Sequence, residues 1–444
     1  MSPERLLSVE EARDTVLAGA GGPLEAECLA LDEALGRVAA EPVRARISLP
    51  PWPNSAMDGY AIIAADVAGA TESAPVRLSV TGETAAGGEG TAPVQHGVAV
   101  RIATGAPLPD GADAIVQVEL TTPIAADGTA GPRARDAAGP IPAACLVHAP
   151  VLAGAHVRAR ASDVSAGDVI LPTGHVVTPS AIALAAGTGV VEVRAWRRPR
   201  VAILATGDEI RGPGEPIGPT GIPDANGPGL AALVHADGFV VIRLGIARDR
   251  LDDVVERLRA GIAGADAVVV SGGVSVGPYD AVRAAFAAVG DVQLWRVAVQ
   301  PGKPFAFGMA STRTPGGRRV PLFGLPGNPV STFVTYELFV RPALRALAGH
   351  ADLLRPVEAA VIEETARTSR GRRAYLRAVV VRDAAGAPAR DASGRLLVRL
   401  AGGQGSHVLS ALARADGLAI VAAEVEEVVP GDPVGFCWTT DRGG

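Results

Sequence analysis

The amino-acid sequence predicts an α/β multidomain fold: a central doubly wound, mostly parallel sheet, preceded by helical and β units and followed by a β domain. Three observations predict it. Beyond Arg198-Pro199-Arg200, apolar runs of strand length (VAILAT, FVVIRLGIA, AVVVSGG) alternate with helix-length stretches (GPGLAALVHADG, LDDVVERLRAGIAG, YDAVRAAFAAVG). Those strand runs are continuously apolar, as strands covered on both faces must be. On either side of this region the runs shorten and Gly/Pro turns crowd between them, the pattern of small β units.

In chain order, MSPERLLSVEEARDTVL reads as an amphipathic helix. Ser8 is its N-cap, and Glu10 and Glu11 occupy the first turn, where the helix dipole favours acids. Apolar residues at helical spacing continue through LDEALGRVAA to about Val43. Pro50-Pro51-Trp52-Pro53 breaks the pattern. From there to about Leu146, VRLSV, VAVRIA and DAIVQVE are predicted strands, and the Ala/Gly/Pro/Asp-rich stretch 121–142 an exposed loop. LAGAHVRARASDVSAGDVILPTGHVVTPSAIALAAGTG combines strands, turns and a closing helix, and is expected to return the chain to the N-terminal helices. After the alternating region come the strands QLWRVAV and PLFGL, the helix VSTFVTYELFVRPAL, and then the short runs AAVIEE, YLRAVVVR, RLLVRL and LAIVAAE. The expected units are therefore 1–50 with 146–195, an inserted small β domain at 51–145, the sheet domain at 196–350 and a C-terminal β domain at 351–444.

Composition narrows the function classes. Hydrophobic residues make up 48% of the 444, yet aromatics only 4%, so the cores must rest on Ala, Val, Leu and Ile. A formal net charge of −6 argues against a broad nucleic-acid surface. No apolar run approaches the roughly 18 residues of a membrane span, and the N-terminus lacks a signal-peptide pattern. Cys28, Cys145 and Cys437 are far apart, without metal-ligand spacing, which suits reduced thiols in the cytoplasm. G-x-x-x-x-G-K-[ST] is absent, excluding a P-loop nucleotidase, and no GxGxxG turn follows the first strand of the sheet domain.

In a doubly wound sheet, ligands sit beyond the carboxyl ends of the strands. The polar clusters of 196–350 fall there: Thr206, Gly207, Asp208 and Glu209 in LATGDEI; Ser271, Gly272, Gly273, Ser275, Gly277 and Asp280 in SGGVSVGPYD; Pro301, Gly302 and Lys303 in QPGKP; Asn328 in GLPGNPVST. Glycine lets backbone N–H groups approach an anion, and Lys303 supplies a positive point charge. Asp208, Glu209, Asp224 and Asp280 would repel that anion unless a divalent cation such as magnesium bridges carboxylate and phosphate oxygens. Phosphate plus metal is thus the predicted chemistry. Taken singly, SGG is more often only a tight turn, and an Asp after a strand more often a helix cap. Two polar turns lie outside the sheet domain, PPWPNSAMDGYAI with Asp58 and RIATGAPLPDGADAIVQVE with Thr104.

Together NSAMDGYA, RIATGAPLPDGADAIV, RPRVAILATGDEI, SGGVSVGPYD, QPGKPFAFG, GLPGNPVSTF and GGQGSHVLSALARADGL resemble the molybdopterin molybdenumtransferase (MoeA-type) family and the C-terminal part of the scaffold gephyrin, in one order from about Val9 to Val434. The resemblance implies that adenylylated molybdopterin is hydrolysed and molybdate inserted, with magnesium required and AMP released. It also implies a homodimer whose site joins the sheet domain of one subunit to the N-terminal domains of the other, with a molybdopterin adenylyltransferase as upstream donor. Carried over by motif, Asp58 and Thr104 line the site, Glu209, Asp224 and Asp280 form an acidic wall that holds metal, and Lys303 contacts phosphate. Asp163 of ASDVSAG stands in the family's GED-like turn, and Arg377 and Ser406 are a C-terminal contribution. The chain departs from the family pattern at Ala161-Ser162-Asp163, which loses a glycine and a carboxylate, and at Pro53, Gln300 and Pro278. Rival readings are a molybdopterin adenylyltransferase or CinA-like pyrophosphatase, which share the sheet domain, and a non-catalytic gephyrin-like scaffold.

Overall fold

A computed structural model describes residues 6–88, 93–273, 281–311 and 318–439. Its centre is a six-stranded sheet of β1 (Arg200–Thr206), β2 (Val240–Ala247), β3 (Ala267–Ser271), β4 (Gly290–Arg296), β5 (Pro304–Ser311) and β6 (Arg319–Leu325), ordered β2-β1-β3-β6-β5-β4. β2, β1, β3 and β6 pair in parallel, and β5 runs antiparallel to both β6 and β4. Helices α1 (Asn226–Ala236), α2 (Leu251–Gly264), α3 (Ala281–Val289) and α4 (Pro329–Thr335) cover it. Successive residues of a strand face opposite sides, so Val201 and Ile203 join one core with Leu230, Val234 and Val334. Ala202 and Leu204 join the other with Val254, Leu258 and Phe286. Both faces being buried explains why these strands read as unbroken apolar runs.

α4 continues through a π-helical turn, Tyr336–Val340, into a further helix, Arg341–Leu347. The wider turn falls just before Pro342, which has no amide hydrogen and whose ring would crowd the carbonyl of Leu338.

The first helix, Val9–Ala20, carries the expected cap: Glu11 N donates to the Ser8 hydroxyl at 3.0 Å, and Ser8 N to the Glu11 carboxylate at 2.8 Å. Its apolar stripe, Val9, Ala12, Val16 and Ala20, packs into the core of the central sheet beside Phe305 and Phe307. It therefore packs as a layer against the central sheet. The helical pattern expected through LDEALGRVAA does not form a helix. Ala26–Ala30, Glu192–Trp196 and Val38–Ala39 make a three-stranded sheet instead, with turns across 31–37. Gly36 at φ 72° breaks the segment, and Arg37 is held by Glu27 and by the Trp196 carbonyl at 2.9 Å. Local propensity yields here to pairing with a distant strand.

Between the two halves of that unit lies a six-stranded β sheet, order Ala114–Gln117, Gly59–Ile62, Val98–Ile102, Val76–Thr84, Ala144–Val147, Thr121–Ile124. The stretch 121–142 is thus not all loop: Thr121–Ile124 is its edge strand, paired with Ala144–Val147. At the C-terminal end a third six-stranded sheet holds Arg373–Val380 and Gly417–Val421. Val299–Gln300, in the loop that leads to Lys303, pairs in parallel with Arg373 and Ala374, tying that loop to the C-terminal domain. Among the described residues no helix is long and apolar enough to cross a membrane.

Candidate active site

A cleft of about 420 Å³ opens beyond the carboxyl ends of β1, β2, β3 and β6, lined among others by Thr206, Gly207, Glu209, Asp224, Asp249, Ser271, Gly272, Gly273 and Asn328. The glycines form its floor. Gly272 has φ 98°, and a Cβ there would lie 2.6 Å from the Thr206 carbonyl oxygen; Gly273 has φ 63°, and a Cβ would lie 2.2 Å from Val282 Cγ2. No side chain fits at either position, so backbone approaches the ligand space directly. Beside them the Ser271 hydroxyl is buried without a hydrogen-bond partner among the described residues. A buried polar group left unpaired costs free energy, and at the lip of a cleft it marks a place for a ligand atom.

The acidic groups come from three loops. After β1 the chain makes an excursion closed by Ile222 N donating to the Glu209 carbonyl at 2.9 Å and Asp224 N to the Arg211 carbonyl at 2.8 Å, which brings Asp224 back beside Glu209. Asp224 Oδ1 accepts the Gly227 amide at 2.8 Å, so one oxygen holds the first turn of α1 while the residue still lines the cleft. Asn226 donates to the Gly327 carbonyl at 2.7 Å and clips this loop to the one before α4. Asp208 lies outside the lining. It is exposed and locked to Asp249 reciprocally: Asp249 N donates to Asp208 Oδ1 at 3.2 Å, and Asp208 N to Asp249 Oδ2 at 3.4 Å.

Asp249 is a cleft residue that the motif reading missed. The signal was available: IARD ends β2 as TGDE ends β1, but β2 had no glycine turn to draw attention. Partial burial, followed by repulsion from Asp208 and Glu209, raises its pKa above the ordinary aspartate value. Among the described residues no three His, Cys, Asp or Glu side chains gather closely enough to hold a metal ion by themselves.

Pro304 lines the cleft, whereas Pro301, Gly302 and Lys303 are not among its lining residues. The Lys303 carbonyl accepts Val297 N at 2.9 Å, which fixes the backbone of its loop. Asn328 leaves its helix uncapped and donates to the Ser406 hydroxyl at 3.0 Å, while Val330 N donates to the Ser406 carbonyl at 3.1 Å. Ser406 thus docks the C-terminal domain on the cleft rim. Arg377 is 1% exposed, and burial draws its pKa down to about 10. Its guanidinium reaches the carbonyls of Gly403 at 3.4 Å and Gly405 at 3.3 Å, so it braces the loop that carries Ser406 and does not face the cleft. Ser275, Gly277 and Asp280 lie outside the described residues.

Asp58 and Thr104 form a separate constellation. Asp58 Oδ1 accepts the Thr104 amide at 2.7 Å and the Thr104 hydroxyl at 2.8 Å, which lower the Asp58 pKa in that order of importance. Asp163 sits in an exposed turn whose Ala161 has φ 59°, the left-handed conformation for which glycine is the natural residue. None of these three residues lines the cleft of its own chain.

Residues 7–189 match the MoeA N-terminal region (domain I and II), 202–346 the probable molybdopterin binding domain and 360–437 the MoeA C-terminal region (domain IV). Molybdopterin molybdenumtransferase 2 of Mycobacterium tuberculosis is 37% identical over 407 residues, covering 90% of this chain and 92% of that protein. Molybdopterin molybdenumtransferase of Haemophilus influenzae is 32% identical over 430 residues, covering 97% and 98%. The crystal structure of the molybdopterin biosynthesis MoeA protein from Pyrococcus horikoshii OT3 superposes with a TM-score of 0.77 at 25% identity, covering 98% of this chain and 100% of that one. With all three regions matched in order along nearly the whole chain, and with the glycine-floored, acid-walled cleft in the middle one, the protein belongs to the molybdopterin molybdenumtransferase (MoeA) family.

Proposed function

We propose that the chain inserts molybdate into adenylylated molybdopterin and releases AMP, with magnesium, in molybdenum-cofactor biosynthesis in the cytoplasm. The observation that carries the reading is the meeting, in one cleft, of a side-chain-free glycine floor with Glu209, Asp224 and Asp249. Backbone amides suit phosphate, and carboxylates alone would repel it. Magnesium binds through one or two carboxylates and completes its shell with phosphate oxygens and water. When bound, magnesium would polarise the phosphoanhydride. Glu209 and Asp249, with Asp280 from the sequence, are the residues that would hold it. Lys303 would offset negative charge on the phosphate, and the Ser271 hydroxyl, without a partner among the described residues, would donate to a substrate oxygen.

Asp58, Thr104 and Asp163 fit this function if a second copy of the chain presents them to the cleft in a homodimer. The upstream donor is then a molybdopterin adenylyltransferase. An adenylyltransferase reading of this chain itself is less favoured, because 7–189 and 360–437 flank the molybdopterin-binding region with matched MoeA regions.

The test is turnover by the purified chain with adenylylated molybdopterin, magnesium and molybdate. AMP release is expected, and Lys303→Ala or Asp280→Ala should nearly abolish it while circular dichroism stays unchanged. Adenylylation of molybdopterin from ATP without molybdate insertion would favour the rival, and full turnover by either variant would refute the residue roles.

A further inference from the structure

The β domain carries a second cleft, of about 480 Å³, between its sheet and the covering segment 123–142. It is far from empty of design. Arg133 anchors the segment by donating to the Glu119 carbonyl at 2.9 Å and to both Glu72 oxygens at 2.7 and 2.8 Å. Arg101, 6% exposed, reaches up from the sheet to the Gly139 carbonyl at 2.9 Å and holds Glu83 at 2.8 Å with its other arm. The segment therefore stands over the sheet as a roof fixed at both ends, and Pro123, Ala134, Ala137, Ile141 and Pro142 supply an apolar lining.

Two features state what the space accepts. Tyr60 lines the cleft and is 3% exposed. A tyrosine in an apolar wall contributes one polar group, a hydroxyl that can donate to an occupant. The buried charge is paired, Glu83 with Arg101, so an anionic occupant would find no free cation. The lining's carboxylate, Asp136, is exposed to solvent at the rim and accepts the Ala138 amide at 3.0 Å. Burial pushes the Tyr60 hydroxyl up to about 12, so it is a neutral donor throughout the physiological range.

We propose that this cleft is a binding site for a small neutral, largely apolar molecule whose carbonyl or ether oxygen accepts a hydrogen bond from the Tyr60 hydroxyl. Its volume lies within the range of small-molecule pockets, and a few oriented polar groups in an apolar wall are the usual composition of such sites. The site is separate from the glycine-floored cleft, and no residue lines both.

The probe is coumarin, a neutral bicyclic lactone, with naphthalene as the ring control lacking an acceptor, each titrated into the full chain and followed by protein NMR. Coumarin should bind saturably and shift resonances of 123–142. Tyr60→Phe should weaken coumarin roughly five- to ten-fold, the loss of one hydrogen bond, and leave naphthalene unchanged. Ala134→Phe, which fills the cleft from the roof and spares Tyr60, should remove binding of both. Absence of saturable coumarin binding to the wild-type chain would overturn the proposal. So would coumarin affinity unchanged in both variants, with Tyr60→Phe shown to be folded by its dispersed spectrum.

Discussion

Two aspartates, Asp249 in the central cleft and Asp58 in the inserted β domain, have their proton affinities displaced in opposite directions, and the difference separates two kinds of polar loop. Asp58 is satisfied within its own chain: the Thr104 amide and hydroxyl both point at one oxygen and hold its pKa below the ordinary value. Asp249 is held against its interest, partly buried and facing Asp208 and Glu209, with its pKa raised. Hydrogen bonds finish the first site. The second is finished only by something that brings positive charge. Both loops looked alike as sequence, dense in polar residues beside strands, and only packing shows which one is left wanting.

The largest expected effect tests the floor of the cleft. Gly272→Ala places a Cβ against a backbone oxygen at a φ that alanine avoids, so destabilisation on the order of 3 kcal/mol is expected from urea unfolding, with loss of turnover. Normal stability would mean that Gly272 does not stand against the Thr206 carbonyl.

Next comes Asp249→Asn. A group whose folded pKa is raised opposes folding when ionised, and that penalty fades as pH falls from above its folded pKa toward the ordinary aspartate value of 3.8. The variant should therefore be more stable than wild type at pH 7, by roughly one or two degrees in Tm, and the gain should vanish near pH 4. Turnover should fall in the same protein. A less stable variant at pH 7 would remove the contrast with Asp58.

Asp58 gives the opposite sign. Its lowered pKa contributes stability present above the unfolded value and lost as pH falls through the folded one. In a carboxyl NMR titration, Thr104→Val should move the Asp58 midpoint upward toward 3.8, and an unmoved midpoint would deny the hydrogen bond its role. Smallest is Ala161→Gly in the turn of Asp163: relief of a left-handed alanine should stabilise by up to about 1 kcal/mol, read by the same urea unfolding.

What could be read from sequence followed physical range. LDDVVERLRAGIAG is a helix from Leu251 to Gly264, as its periodicity says, because its partner face is set by its own residues. LDEALGRVAA fails because Val38–Ala39 pairs with Trp196 and Ala195, across a separation no local pattern reports. For the same reason Val9–Ala20 was legible as a helix, but its packing against the central sheet was not. At the site, glycine turns advertised Gly272 and Gly273, whereas Asp249 lacked such a flag. The brace formed by Arg377 and the docking of Ser406 on Asn328 are tertiary facts that spacing does not contain.

The most direct measurement is the affinity of the chain for a divalent cation, read by electron paramagnetic resonance with manganese in place of magnesium, in the absence and presence of adenylylated molybdopterin. Carboxylates that need anhydride oxygens to complete a metal shell should bind manganese weakly alone and at least about tenfold more tightly with the pterin nucleotide present. Equal affinity in both conditions would contradict the role assigned to Glu209, Asp249 and Asp280.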